Sequence, residues 1–221
     1  MNLILLGAPG SGKGTLAELL SSELAAPHIS PGDILREVVK QGNPLGKIAR
    51  PFMEKGELVP DEIILKMMER RLSQKDCRKG FILDGFPRTL PQAEGLDETL
   101  RKSNRDIDFA LEFEISEQTA TKRLEGRRVC SACGADFNIY TKPPRKTDVC
   151  DICGSGLFQR RDDKQEVISN RLKVYRQETT PVKEYYNHQG KLIRINSEPD
   201  PDVVLKRILK LLEFNGTSVS D

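Results

Sequence analysis

Leu3-Ile4-Leu5-Leu6-Gly7-Ala8-Pro9-Gly10-Ser11-Gly12-Lys13-Gly14-Thr15 is the stretch that decides the fold. Four consecutive apolar residues read as a buried strand, and Thr15 to Leu24 reads as a helix. The glycine-rich segment between them lets backbone N–H groups turn inward around phosphate oxygens, with the positive end of the helix behind them. Lys13 is placed to reach the outer phosphates as a point charge. The general pattern G-x4-G-K-S/T sets a hydroxyl directly after the lysine. Here Gly14 stands in that position and Thr15 one later, so the usual hydroxyl for magnesium is displaced by one residue. A flexible Gly/Pro surface loop is the alternative, and the strand before and helix after weigh against it.

Outward from this loop, short apolar runs at 2–6, 28–30, 80–83, 108–114 and 191–196 alternate with longer helical patterns. That alternation predicts an α/β fold: a doubly wound, parallel, five-stranded sheet of the P-loop NTPase type. Apolar spacing predicts helices over Asp61–Leu72 and Val203–Phe214. Ser116 is placed to cap one running to Leu124. Pro181 is expected to kink or end a long helix beginning near Asp163. Two stretches exceed a minimal core: a helical insertion at 30–60, and a polar, turn-rich insertion at 127–161. They leave 1–29, 61–126 and 162–221 as the core. Gly216 to Asp221 reads as a frayed tail.

The 221 residues, 37% hydrophobic and 31% charged, suit one sizeable core in a soluble protein that needs no disulfide staples. A net charge of +2 is too mild to imply a nucleic-acid or membrane partner. No apolar run approaches a membrane span, and the first residues lack the basic leader of a signal peptide, so the expected location is cytoplasmic.

The apolar run Phe81-Ile82-Leu83 ends in Asp84-Gly85-Phe86-Pro87-Arg88, which sets a carboxylate and a guanidinium at the carboxyl end of a parallel strand, where open α/β sheets bind ligands. Such an acid can hold magnesium through water, and Arg88 can fork across phosphate oxygens. Read alone, the segment would serve equally as a turn with a solvated arginine.

Four of the five cysteines fall in two Cys-x2-Cys-Gly hooks, Cys130/Cys133 and Cys150/Cys153. The spacing offers four thiolates to one tetrahedral metal, read as a structural zinc that cross-links a segment too small to own a core. Disulfides or free thiols are the alternatives, and four thiolates would also accept iron or cobalt. Cys77 reads as a packing or surface residue. Arg123, Arg127, Arg128, Arg160, Arg161 and Arg171 flank the insertion, either as solvated charges or as a ring around a transferring phosphoryl group. Asp162 and Asp163 read as helix-capping carboxylates that also suit anchoring those arginines. His28 and His188 have no partner nearby in sequence and read as structural.

Taken in order, these residues resemble the zinc-containing, long-lid adenylate kinases over nearly the whole chain. The resemblance rests on Gly7 to Thr15, Gly32-Asp33 with Arg36, Glu57-Leu58-Val59, Asp84 to Arg88 with Gln92, Gly126-Arg127-Arg128, the four cysteines, and Arg160 to Asp163 with Arg171. It implies reversible transfer of the terminal phosphoryl group of Mg-ATP to AMP, giving two ADP, by a monomer. By the family's pattern Gly10, Ser11, Gly12, Lys13, Gly14 and Thr15 cradle the ATP phosphates. Arg123 and Arg127 lie over ATP, and Asp136, Phe137 and Pro199 stand near its base. Residues 30–60 correspond to the AMP-binding domain. Arg36 and Arg88 then hold the AMP phosphate, Pro31, Leu58 and their neighbours Glu57 and Val59 line the adenosine, Gly85, Phe86 and Pro87 complete the wall, and Gln92 reads the base. Arg160 and Arg171 bridge both phosphate chains, while Asp162 and Asp163 steer the 127–161 lid.

The chain departs from that pattern at Pro31, where the family usually has Thr, and at Asn138, where zinc-lid relatives often carry histidine. Two rivals remain at this stage. One is a nucleoside monophosphate kinase with another donor or acceptor base. The other is a zinc-ribbon NTPase that grips nucleic acid through Lys142, Arg145 and Lys146. The second wants aromatics interleaved with its basic residues, and the ribbon has only Phe137, Tyr140 and Phe158.

Overall fold

The computed structural model describes residues 1–216, so the expected tail, apart from Gly216, lies outside the described residues. In chain order, β1 (Asn2–Gly7) leads to α1 (Lys13–Leu24), β2 (His28–Ile29), α2 (Pro31–Lys40), α3 (Pro44–Lys55) and α4 (Asp61–Leu72). A 3-10 turn over Lys75–Lys79 precedes β3 (Phe81–Asp84), α5 (Leu90–Arg101), β4 (Phe109–Glu114) and α6 (Glu117–Gly126). Three short strands follow: β5 (Arg127–Cys130), β6 (Asp136–Asn138) and β7 (Leu157–Phe158). The chain returns through a 3-10 turn at Arg161–Asp163, α7 (Gln165–Val174), a π-helical turn over Tyr175–Thr179, α8 (Thr180–His188), β8 (Leu192–Asn196) and α9 (Pro201–Gly216).

The main sheet has five parallel strands in the order β2-β3-β1-β4-β8. β1 is central and covered on both faces, as a parallel strand must be, which is why it reads as an unbroken apolar run. Leu3 and Leu5 point to one layer, with Leu16, Leu20, Ile208 and Leu212. Ile4 and Leu6 point to the other, with Met68, Phe86, Leu96 and Tyr186. β3 and β4, consecutive in the main sheet, lie on opposite sides of β1, so the crevice at its carboxyl end is the switch point where such sheets bind ligands. The phosphate loop and Asp84 both open there.

α1 begins at Lys13, two residues earlier than the apolar spacing suggests. Its N-cap, Gly12, sits at φ 88°, where glycine is unstrained, and no side chain caps this end. The first-turn amides therefore stay available to an anion. In α2, by contrast, Ser30 caps the Asp33 amide and Pro31 occupies the first helical position, where its fixed φ suits the helix and its missing N–H costs nothing. That placement explains how the chain tolerates proline at this position.

Pro181 does not end the helix that carries Arg171. That helix starts at Gln165 and runs on through the π turn Tyr175–Thr179 into α8, with Pro181 in the first turn of α8. A proline removes one N–H and crowds the carbonyl four residues back, and the wider π turn supplies the room.

The 127–161 stretch carries its own antiparallel sheet, ordered β6-β5-β7. Its apolar interior is only Cys130, Phe137 and Cys150 with Ala135 and Leu157 against them. A core this small needs a staple. In the helical insertion, α2 and α3 approach so closely that a Cβ at Gly46 would lie 2.2 Å from the Val38 carbonyl oxygen. Gly46→Ala is expected to force these helices apart and cost about 1–3 kcal/mol, read as a lower midpoint in thermal or urea unfolding. An unchanged midpoint would contradict the close packing.

Candidate active site

Lys13 is half-buried with its Nζ turned into the loop. It donates to the Gly7 carbonyl at 2.6 Å, the Ala8 carbonyl at 2.9 Å and Ser11 Oγ at 3.2 Å. Burial lowers its pKa to about 8; Asp84 works against this, and Arg88, Arg171 and Arg127 reinforce it. Gly10, at φ 85°, passes so near α6 that a Cβ would meet the Ala120 carbonyl oxygen at 2.4 Å. Arg123 lies along the loop, its Nη1 3.6 Å from the place of a Gly12 Cβ. It is tethered by donating to the Ser197 and Glu198 carbonyls, each at 3.1 Å, just before Pro199.

Across the crevice one cavity is lined by Pro31, Leu35, Arg36, Met53, Glu57, Leu58, Val59, Ile64, Gly85, Phe86, Arg88, Gln92, Asp162 and Arg171. The elements that deliver them are the start of α2, the turn between α3 and α4, the loop after β3, the start of α5, and α7. Gly85 needs its freedom here, since it sits at φ 66° with the Arg88 guanidinium against it. Arg88 Nε donates to the Gly85 carbonyl at 2.8 Å. Arg36 is held by Asp33 one turn earlier.

Between the two compartments stands Asp163, with no solvent exposure. Arg127 forks onto it, Nε to Oδ2 at 2.7 Å and Nη2 to Oδ1 at 2.6 Å, and Arg171 Nη1 reaches Oδ1 at 2.9 Å. Arg171 also pairs with Asp162 Oδ2 at 3.1 Å, and Arg160 with Asp136 Oδ1 at 3.2 Å. Neither aspartate caps α7. Lys164 takes the N-cap position with no side-chain bond, because both carboxylates are drawn to guanidinium groups. The crowding of cations shows in their proton affinities. Burial, then Arg171, lowers Arg88; burial, then Arg127 and Arg36, lowers Arg160. Arg171 is lowered as well, chiefly by burial, although Asp162 opposes it. Burial would lower Arg127 too, but the bonds to Asp163 prevail and raise it.

Two expectations need revision. His28 is not isolated: its Nε2 lies 3.4 Å from Asp84 Oδ2, and although burial opposes it, that contact raises the imidazole's pKa. The partner is 56 residues away, beyond any local pattern. Phe137 packs inside the small lid core at 5% exposure, so its ring is not a free surface for a base. Asn138, where relatives often have histidine, bridges the base of the lid. Its Nδ2 donates to the Arg123 carbonyl at 2.8 Å while its Oδ1 accepts from the Tyr140 amide at 3.0 Å. Cys77 is a buried packing residue whose sulfur accepts from Arg71 Nη1 at 2.9 Å.

Sequence reasoning did not find Asp61, Thr89, Gln159 or Thr179. Asp61 bonds Thr89 and Gln92. Gln159 Nε2 donates to the Glu125 and Asp163 carbonyls, tying the two strands of the lid's base. Thr179 Oγ1, in the π turn, donates to the Arg88 carbonyl at 3.0 Å. Of these only Thr89, preceding Leu-Pro, had a legible signal, that of a helix N-cap.

The four lid sulfurs lie within 4.8 Å of one another, with Cys130–Cys153 at 3.4 Å and Cys133–Cys150 at 3.6 Å. Tetrahedral zinc thiolate implies sulfur separations of ~3.8 Å from its metal–sulfur bond length, so the donor set fits a metal. Both hooks close alike: the Gly134 amide donates to the Cys130 carbonyl and the Gly154 amide to the Cys150 carbonyl, with the glycines at φ 75° and 76°.

A phosphate loop, a facing cavity floored by arginines, and a carboxylate-braced guanidinium cluster between them define a phosphotransferase with two anionic substrates. The adenylate kinase family model matches residues 5–191. Curated adenylate kinases of Methanocella arvoryzae, Caldicellulosiruptor saccharolyticus and Archaeoglobus fulgidus are 52%, 49% and 48% identical, covering 92%, 96% and 96% of this chain and 94%, 99% and 98% of their own. The chain belongs to the adenylate kinase family, and its reaction is phosphoryl transfer between ATP and AMP. Among the described residues no helix is long and apolar enough to cross a membrane.

Two predictions test this geometry. Asp163→Ala leaves two guanidinium groups facing each other without their carboxylate and is expected to cost about 3–5 kcal/mol in denaturant unfolding; a loss below 1 kcal/mol would show the pairs to be dispensable. For Lys13, the folded pKa lies below the unfolded one, so its penalty on the ligand-free fold is full below pH 8 and fades as pH rises toward 10.5. A phosphate reverses the shift, so ATP binding at pH 8.5 should take up protons. Titration calorimetry in two buffers of different ionisation heat measures that uptake, and identical heats would contradict it.

Proposed function

We propose that the two sites divide the substrates as follows. Residues 10–15, with Arg123 and Arg127, receive Mg-ATP, Asp84 holding the magnesium through water and the chain at Asp136 and Pro199 bordering the base. The cavity with Arg36, Arg88, Gln92 and residues 57–59 receives AMP. Arg171 carries this reading: it lines the AMP cavity and, through Asp163, shares a carboxylate with Arg127 on the ATP side. It therefore stands where the two phosphate chains meet. Core (1–29, 61–126, 162–221), AMP-binding segment (30–60) and lid (127–161) are the three working parts, supported by the separate lid sheet and the paired helices α2 and α3.

The AMP phosphate oxygen attacks the terminal phosphorus of ATP in line, the bond to the bridging oxygen breaks, and ADP leaves on both sides. No covalent intermediate is required, so the chain's task is alignment, charge neutralisation and exclusion of water. Lys13, Arg88, Arg127, Arg160 and Arg171 take up the spreading charge, and Asp162 and Asp163 keep Arg127 and Arg171 aimed before substrate arrives. The lid metal is zinc, bound by Cys130, Cys133, Cys150 and Cys153 in a structural role, since all four tetrahedral positions are filled by protein. Both nucleotide sites are complete within one chain, which supports a monomer. Free cysteines and a thiolate site fit the reducing cytoplasm. The basic lid residues Arg127 and Arg160 are engaged with Asp163 and Asp136, which favours nucleotide over nucleic acid as the partner.

Lys13→Ala and Arg88→Ala are each expected to lower kcat/KM at least 100-fold, on the scale of lost transition-state contacts, while retaining the fold. A coupled ADP assay with AMP, GMP, CMP and UMP as acceptors and ATP or GTP as donor measures both the loss and the base preference; near-normal rates would refute the assignment. Cys130→Ser is expected to lower metal content and melting temperature with little change in the transfer step. Retention of both would refute a stapling metal.

A further inference from the structure

The AMP cavity contains a buried amide whose orientation is decided from behind by a residue that does not touch the ligand side. Gln92 is 2% exposed. Its Oε1 accepts the Arg88 backbone N–H at 2.8 Å, and its Nε2 donates to Asp61 Oδ1 at 2.7 Å. A backbone N–H can only donate and a carboxylate only accept, so these two neighbours permit one of the two amide flips. Each amide atom spends half its capacity in this way. One N–H and one oxygen lone pair remain on a residue that lines the cavity.

Asp61 is anchored in turn. It opens α4, two residues after Val59 of the cavity wall, where the helix dipole favours a carboxylate. Its second oxygen accepts from Thr89 Oγ1 at 2.9 Å, and Thr89 Oγ1 accepts from the Gln92 backbone N–H as the N-cap of α5. Arg88 is fixed from both ends, its N–H on Gln92 and its carbonyl receiving the Thr179 hydroxyl. One carboxylate thus joins the 57–59 turn, the start of α5 and the backbone of the phosphate-binding arginine.

We propose that Asp61 is a specificity-determining positioning residue: it holds the Gln92 amide in the flip that offers its free N–H and free lone pair in the order a 6-aminopurine edge requires. Adenine presents an acceptor at N1 beside a donor at N6. Hypoxanthine presents the reverse, a donor at N1 beside an acceptor at O6. An amide locked in one flip satisfies one order and opposes two donors or two acceptors against the other, and such mismatches supply most polar discrimination. This rests on the reading of Gln92 as the base contact.

The test compares Asp61→Ala, Asp61→Asn and Gln92→Ala for kcat and KM with AMP and with IMP, alongside melting temperature. Asn keeps an oxygen for Gln92 Nε2 and can donate to Thr89 Oγ1, while Ala keeps neither; both lose the same charge. The expected result for Asp61→Ala is a KM for AMP raised about tenfold, kcat changed less than threefold, and a smaller preference for AMP over IMP, on the scale of one lost hydrogen bond to a charged group. Asp61→Asn should stay within about threefold of the parent in KM and in that preference. If the Ala chain does not fold, Asp61→Ser replaces it, because serine keeps a polar residue at the helix start but is too short to reach Gln92. A lower melting temperature with KM and base preference unchanged would overturn the proposal, leaving Asp61 a purely structural link. So would an Asn variant as impaired as Ala. If Gln92→Ala itself leaves the KM for AMP unchanged, the reading of Gln92 as base contact falls, and the proposal with it. If Gln92→Ala raises that KM and Asp61→Ala does not, the proposal alone falls.

Discussion

Cations repel, and this chain gathers Lys13, Arg36, Arg88, Arg127, Arg160 and Arg171 around one crevice. Two unit charges 4 Å apart at a protein surface cost about 4 kcal/mol, so the cluster exists only because carboxylates are interleaved with it. Asp163 is the central one. Wholly enclosed, it forks onto Arg127 and bonds Arg171, while Asp162 gives Arg171 a second hold and Asp136 and Asp33 restrain Arg160 and Arg36. The arginines are thereby aimed before any phosphate arrives, and the cost of gathering them is met during folding rather than during the reaction. Burial and the same crowding lower the Lys13 pKa, and its Nζ is held by the Gly7 and Ala8 carbonyls.

The architecture follows from keeping that cluster dry when occupied and open when not. A parallel sheet provides the rigid floor: β1 and β3 end at the switch point and deliver the phosphate loop and Asp84 to it. The two insertions are separately built and meet over the crevice. Arg161 of the lid's base pairs with Glu54 of α3, and Asn170 of α7 donates to the Lys55 carbonyl. Both are exposed contacts of the kind worth little individually. The helix bearing Arg171 is continuous with the π turn whose Thr179 holds the Arg88 backbone, so these two arginines of the cavity share one mechanical support.

The lid meets a different constraint. It is too small to bury a core, and its interior is two cysteines, one phenylalanine and a rim. Four thiolates gathered at one point supply the donor set for a metal cross-link that burial cannot replace, and Gln159 and Asn138 bind the base of this small sheet to α6 and the Asp163 turn.

What the sequence determined by itself is everything carried by local spacing: the phosphate loop, because strand, glycines and lysine are contiguous; the five strands, because buried parallel strands are apolar runs; and the four-cysteine cluster, because each Cys-x2-Cys hook is only four residues long. The arginines were legible as a set but not in their pairing. Only the tertiary structure decided that Asp162 and Asp163 brace guanidinium groups instead of capping α7, that His28 meets Asp84, that Phe137 turns into the lid, and that Asp61 sets Gln92. Each joins residues far apart in the chain, so no periodicity records it. Pro181 shows the converse: its local effect is real, but packing of α8 against the sheet absorbs it as a π turn. Contacts whose energy comes from burial of charge require the partner's position, and that exists only once the chain has folded.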